Sequence, residues 1–109
     1  MNIEDTIKSE IVNRDATNSN YEKMEYQNSI LQLKTYNDNQ SYKSDIYTDL
    51  KYFIKYYIDS LLERKHGYDE IELDKIFYYF PYLEPIERVK ILKYLIRLLK
   101  LDGLDHITI

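Results

Sequence analysis

Apolar residues recur at helical spacing through most of this chain, and the pattern sharpens after residue 42. Ile3, Ile7 and Ile11 return every four residues, which predicts a short first helix ending near Asn13. The polar stretch Asp15 to Asn20 reads as a loop. Tyr21, Met24, Ile30, Leu31 and Leu33 then outline a second helix, broken by Asn37-Asp38-Asn39-Gln40-Ser41. Residues 1–41 are poor in large aliphatics and are expected to form a helical, partly flexible N-terminal segment. Residues 42–109 are expected to form the helical core domain.

In that second part the local signals agree with one another. Ser44 suits an N-cap and Asp45 complements the dipole of the turn that follows. Ile46, Leu50, Phe53, Ile54, Tyr57, Ile58 and Leu61 trace one broad apolar face. Arg64-Lys65-His66 suits a last turn and Gly67 a left-handed close. Ile71-Glu72-Leu73 alternates briefly, as a short strand or the entry to a helix. Leu73, Ile76, Phe77 and Phe80 then give two helical turns ended by Pro81. Pro85 opens the last helix, where its missing N–H costs nothing. Val89, Leu92, Ile96 and Leu99 are expected to be its buried line, widened by Ile91, Leu95 and Leu98. Asp102-Gly103 ends it, and Leu104 to Ile109 alternates as a short terminal strand. The expectation is a mostly α fold, a small domain of four to five helices.

Composition narrows the class. A chain of 109 residues suits one domain with a core of its own. It has no cysteine, which removes disulfides, thiolate zinc sites and a cysteine nucleophile. No apolar run approaches the roughly 18 residues that span a bilayer. Met1-Asn2-Ile3-Glu4-Asp5 lacks the basic flank of a signal peptide. A cytoplasmic protein without a membrane partner is expected. Thirteen tyrosines and a single alanine, Ala16, suit an AT-rich genome, such as that of a mobile element or virus.

The net charge is -4, but the charge is unevenly distributed. Seven acids stand against four bases up to Ser41, and four against five from Glu84 onward. Within Ile86–Leu101, Lys90, Lys93, Arg97 and Lys100 follow at spacings of three, four and three, which gathers them into one stripe on a helix. The bland reading is a solvated face; the functional one is a surface for phosphates or an acidic partner.

The order of helix, short strand, two-turn helix, tight turn, basic helix and strand resembles a winged-helix module of the helix-turn-helix superfamily, over about residues 69–109. Leu73, Ile76 and Phe80 match its packing helix. Ile86, Val89, Leu92 and Ile96 match its recognition helix, and Asp102-Gly103-Leu104 through Ile109 the entry to the wing. The resemblance implies duplex DNA binding and transcription regulation, with Ile86–Leu101 in the major groove and Lys90, Lys93, Arg97 and Lys100 exposed. Lysines alone grip phosphates without reading bases. The alternative architecture is a plain helical bundle.

No enzyme signature is present. Gly67 and Gly103 are the only glycines, so there is no phosphate cradle. Ser, His and Asp show no triad arrangement. His66 suits a helix end, and Asp102, Asp105 and His106 match no metal site of known mechanism. Tyr52, Tyr56, Tyr78, Tyr79 and Tyr82 suit either a base-stacking platform or the wet edges of a core. The acids Glu4, Asp5, Glu10, Asp15, Glu22 and Glu25 serve solubility or mimic phosphates. These features suggest a non-enzymatic regulator without cofactor or small-molecule substrate, bound to DNA or a DNA-handling factor. The alternative is a protein-binding inhibitor, such as an immunity protein or a viral antagonist of a host nuclease. The broad apolar arc of residues 44–66 points to a homodimer through that helix, unless the N-terminal segment folds back to cover it.

Overall fold

The computed structural model describes residues 2–64 and 70–101. These form five α-helices and no strand among the described residues: α1 (Ile3–Ala16), α2 (Asn20–Thr35), α3 (Ile46–Arg64), α4 (Glu70–Tyr78) and α5 (Pro85–Leu101). Three short 3₁₀ segments join them, Tyr36–Asp38, Gln40–Asp45 and Phe80–Tyr82. The domain is a plain helical bundle in these parts. The wing expected at 104–109, the Gly67 close, His66 and the Asp102/Asp105/His106 group lie outside the described residues.

Side-chain caps set the helix starts. Asn2 Oδ1 accepts the Asp5 amide at 2.8 Å, and Ser19 Oγ accepts the Glu22 amide at 3.2 Å. Each cap satisfies a donor that the first turn cannot bond internally. At α5 the Glu84 amide donates to Glu87 Oε1 at 2.8 Å, the returning half of a capping box. One boundary departs from expectation: the loop after α1 is only Thr17–Ser19. Of the two alternatives for Ile71-Glu72-Leu73, the helix entry is the one found, at the start of α4.

The turn from α2 to α3 is made by two consecutive left-handed residues, Asn37 (φ 52°) and Asp38 (φ 53°). Asn and Asp tolerate this region better than other residues with a Cβ, because their short polar side chains bond locally. The chain then winds through Gln40–Asp45 directly into α3; Ser44, expected as a cap, lies inside this 3₁₀ segment, which Asn39 caps by accepting the Ser41 amide on Oδ1 at 2.9 Å.

Helices neighbouring in sequence are neighbours in space. α1 lies on α2, α2 on α3, and α5 on the far side of α3, with α4 tucked against α3. Met24 and Leu31 of α2, seven α3 residues from Ile46 to Leu61, Leu73 and Ile76 of α4, Tyr79 and Leu83 beyond it, and Ile91, Leu95 and Leu98 of α5 form one core cluster. Each such aliphatic side chain contributes about 1.5–3 kcal/mol on burial. Of the N-terminal helices, α2 lies over α3 and α1 over α2, while Tyr47 and Tyr56 of α3 stay half-buried and Tyr52 exposed. The array stays open, with α1 at one edge and α5 at the other, and measures 43 × 33 × 19 Å.

Polar bridges fix the order. Gln27, fully buried on α2, donates from Nε2 to the Asp49 carbonyl of α3 at 2.9 Å and accepts from Arg14 Nη1 of α1 at 2.8 Å. Tyr79, just after α4, donates to Asn28 Oδ1 of α2 at 2.7 Å. Buried amides and hydroxyls are tolerable when paired in this way, and each pairing selects one helix register.

Candidate binding face on the last helix

The α5 backbone shows two apolar lines, and only one faces inward. Ile91, Leu95 and Leu98 are buried in the core cluster. Ile86, Val89, Leu92 and Ile96 remain 61%, 45%, 39% and 52% exposed. The expected burial of Val89, Leu92 and Ile96 is therefore corrected; only Leu99 of that line packs partly against the core. The physical reason is that both lines are nearly equally hydrophobic, so the pattern alone does not choose between them; Ile91, Leu95 and Leu98 are the ones that join Leu83 and the α3 residues in the core. Of the five aliphatic side chains exposed to this degree among the described residues, four are on α5, the fifth being Val12.

Lys90, Lys93, Arg97 and Lys100 are all exposed, as the spacing implied. On a helix of 3.6 residues per turn they form a stripe directly beside the Val89–Leu92–Ile96 line. Among the described residues Lys90, Lys93 and Lys100 are held in no ion pair. Arg97 stacks its guanidinium over the Tyr94 ring at 5.4 Å. Lys51 of α3 lies over the same ring at 5.3 Å, and over Tyr47 at 5.3 Å. Tyr94 thereby extends the cationic surface from α5 onto α3, a contribution the sequence pattern did not single out. Its signal was the i, i+3 pair Tyr94/Arg97, which has meaning only once α3 is known to lie alongside. The other end of α5 is anchored by Arg88, whose Nε donates to the Phe80 carbonyl at 2.9 Å.

The tyrosines do not assemble into one platform. Tyr52 and Tyr56 stack on α3 with ring centroids 6.4 Å apart, while Tyr79 is buried against Asn28. Burial pushes the Tyr79 phenol above its ordinary pKa, with smaller contributions from Tyr78 and Tyr82. It is a structural group.

A polar hollow of about 240 Å³ beside the left-handed turn is lined by Lys34, Thr35, Asp38, Lys43 and Tyr82, among others. Its cations are already engaged. Lys34 Nζ bonds Asp49 at 2.6 Å and Asp45 at 3.3 Å, and Lys43 pairs with Glu84 at 3.3 Å. Among the described residues no group of three His, Asp or Glu could hold a metal, and no helix is long and apolar enough to cross a membrane. Among the described residues, α5 brings three lysines held in no ion pair together with four exposed aliphatic side chains.

No family model matches the chain, and neither curated proteins nor solved structures show significant similarity to it.

Proposed function

We propose that this is a small non-enzymatic binding protein that acts in the cytoplasm by docking a protein partner on the outward face of α5. The observation that carries the reading is the line Val89–Leu92–Ile96, exposed beside Lys90, Lys93, Arg97 and Lys100. Contiguous uncovered aliphatic side chains on one helix mark an interaction surface. The adjoining cations give that surface a preference for acidic partners and speed the encounter. The winged-helix likeness and its duplex DNA form the second reading. It is favoured by four cations in one stripe without an acid among them. Phosphates, however, satisfy the cations and leave three aliphatic side chains against water. Occupancy of a protein surface, as by an inhibitor of a DNA-handling factor, suits both features together.

Affinity capture from a lysate, with and without nuclease, tests the choice. A stoichiometric protein that survives nuclease treatment and is lost with Leu92→Glu supports docking. A second arm titrates fluorescent duplex DNA at two salt concentrations. Binding whose salt slope falls by about one for each of Lys90, Lys93 and Lys100 replaced would favour the DNA reading. Nuclease-sensitive recovery of nucleic acid alone would overturn docking.

A further inference from the structure

Resting on that docking role, we propose that the occupant of α5 is an amphipathic helix with acidic flanks, packed as the second strand of a short two-stranded coiled coil. Setting Val89 at position a of a heptad puts Leu92 at d, Ile96 at the next a and Leu99 at the next d. β-branched residues at a with leucine at d is the combination that favours two strands. In this chain three of the four seam positions, Val89, Leu92 and Ile96, are exposed, and only Leu99 packs partly against the core. The core is already filled by Ile91, Leu95 and Leu98, from the other side of the same helix. The helix has 17 residues, about 25 Å at 1.5 Å per residue, so two heptads of seam fit on it.

Charge selects the strand that fits. Lys93 and Lys100 both fall at position e, flanking the seam on its solvent side, with Lys90 and Arg97 one step further out at b. The opposite flank is Arg88 and the buried Leu95. A second copy of this chain is a poor match in either direction. Antiparallel pairing sets Lys93 and Lys100 against the same lysines of the copy, and parallel pairing sets Lys93 against Arg88. Like charges across a seam oppose association, whereas Glu or Asp on an incoming helix meets both lysines. The seam supplies apolar burial and the lysines supply partner choice.

The test uses the full chain and two synthetic helical peptides of about three heptads, identical at a and d (Ile, Leu). One carries Glu at e and g and the other Lys. Titration calorimetry and circular dichroism are expected to show 1:1 binding of the Glu peptide with a gain of helix. The Lys peptide should bind roughly tenfold more weakly or worse, as expected when two flanking contacts turn from attraction to repulsion. Leu92→Glu should abolish binding, and Lys93→Glu with Lys100→Glu should reverse the peptide preference. Both variants change exposed residues, so unchanged melting curves will show that the fold persists. Equal affinity for the two peptides, no binding of either, or a Leu92→Glu variant that binds like the parent overturns the proposal. So does a dimer of the parent chain that Leu92→Glu disperses, because the occupant is then a second copy. A lysate partner still dependent on Leu92, with no peptide preference, keeps the docking reading and removes only the acidic helix.

Discussion

Single polar residues set the register of this bundle, because its apolar residues are too alike to do so. Asn28 and Tyr79 are both buried, and each is the other's hydrogen-bond partner at 2.7 Å across 51 positions of chain. Tyr79→Phe removes the donor and leaves the Asn28 oxygen dry, a loss of about 1–3 kcal/mol in chemical denaturation. Asn28→Leu combined with Tyr79→Phe is expected to recover much of it, since no orphaned group then remains. Two groups, one half-buried and one buried, also tie stability to pH. Burial disfavours the Lys34 ammonium, but hydrogen bonds and charge from Asp49, then Asp45, outweigh it and hold its pKa above the ordinary value. The Tyr79 phenol is raised by burial. Both groups therefore keep their protons in the folded chain at pH values where the unfolded chain releases them. Their contribution is intact below about pH 10, near the unfolded values, and is lost as pH climbs above it. Thermal midpoints should accordingly fall steadily from pH 10 upward, and the Tyr79→Phe variant should show the shallower decline.

Helices differ in how much of themselves the sequence reveals. The face of α3 was legible because its apolar positions are concentrated on one side and every one from Ile46 to Leu61 on that line is buried. The start of α5 was legible from Pro85 and Glu87. Its inward face was not, because an amphipathic pattern reports that apolar residues line a helix and not which of two lines meets the core. The cationic stripe was legible from spacing alone, whereas the Lys51–Tyr94–Arg97 array depends on how α3 and α5 lie together. Tyr79 escaped notice as a core residue since tyrosine is common at wet edges, and only its pairing with Asn28 makes burial acceptable. The inward line of α5 can be tested directly. Ile91→Ala or Leu95→Ala should cost about 2–5 kcal/mol, the range for buried aliphatics. Leu92→Ser and Ile96→Ser should each stay within about 0.5 kcal/mol of the parent by denaturant titration. Equal losses on both lines would mean that α5 is turned differently.

The molecule as a whole is a row of helices with α2 and α3 at its centre. Its Cα radius of gyration, 14.0 Å, stands somewhat above the roughly 13 Å expected for a chain of this length, as befits a flattened array. Ile7 is the one buried residue of α1, so apart from the Arg14–Gln27 bond that edge rests on little apolar burial. Native-state hydrogen exchange should therefore show α1 opening at the lowest free energy and α2–α3 only with global unfolding. Protection of α1 equal to that of α3 would contradict the open order. The bond between Asn28 and Tyr79 also has a consequence in time. A ribosome adding 5–20 residues per second needs several seconds to travel from the first of these residues to the second. During that interval α1, α2 and α3 can already meet through short connections, which close at small entropic cost. The Asn28 amide must wait in water for its partner, so the growing chain acquires its helical hairpins first and its final registration only when Tyr79 emerges.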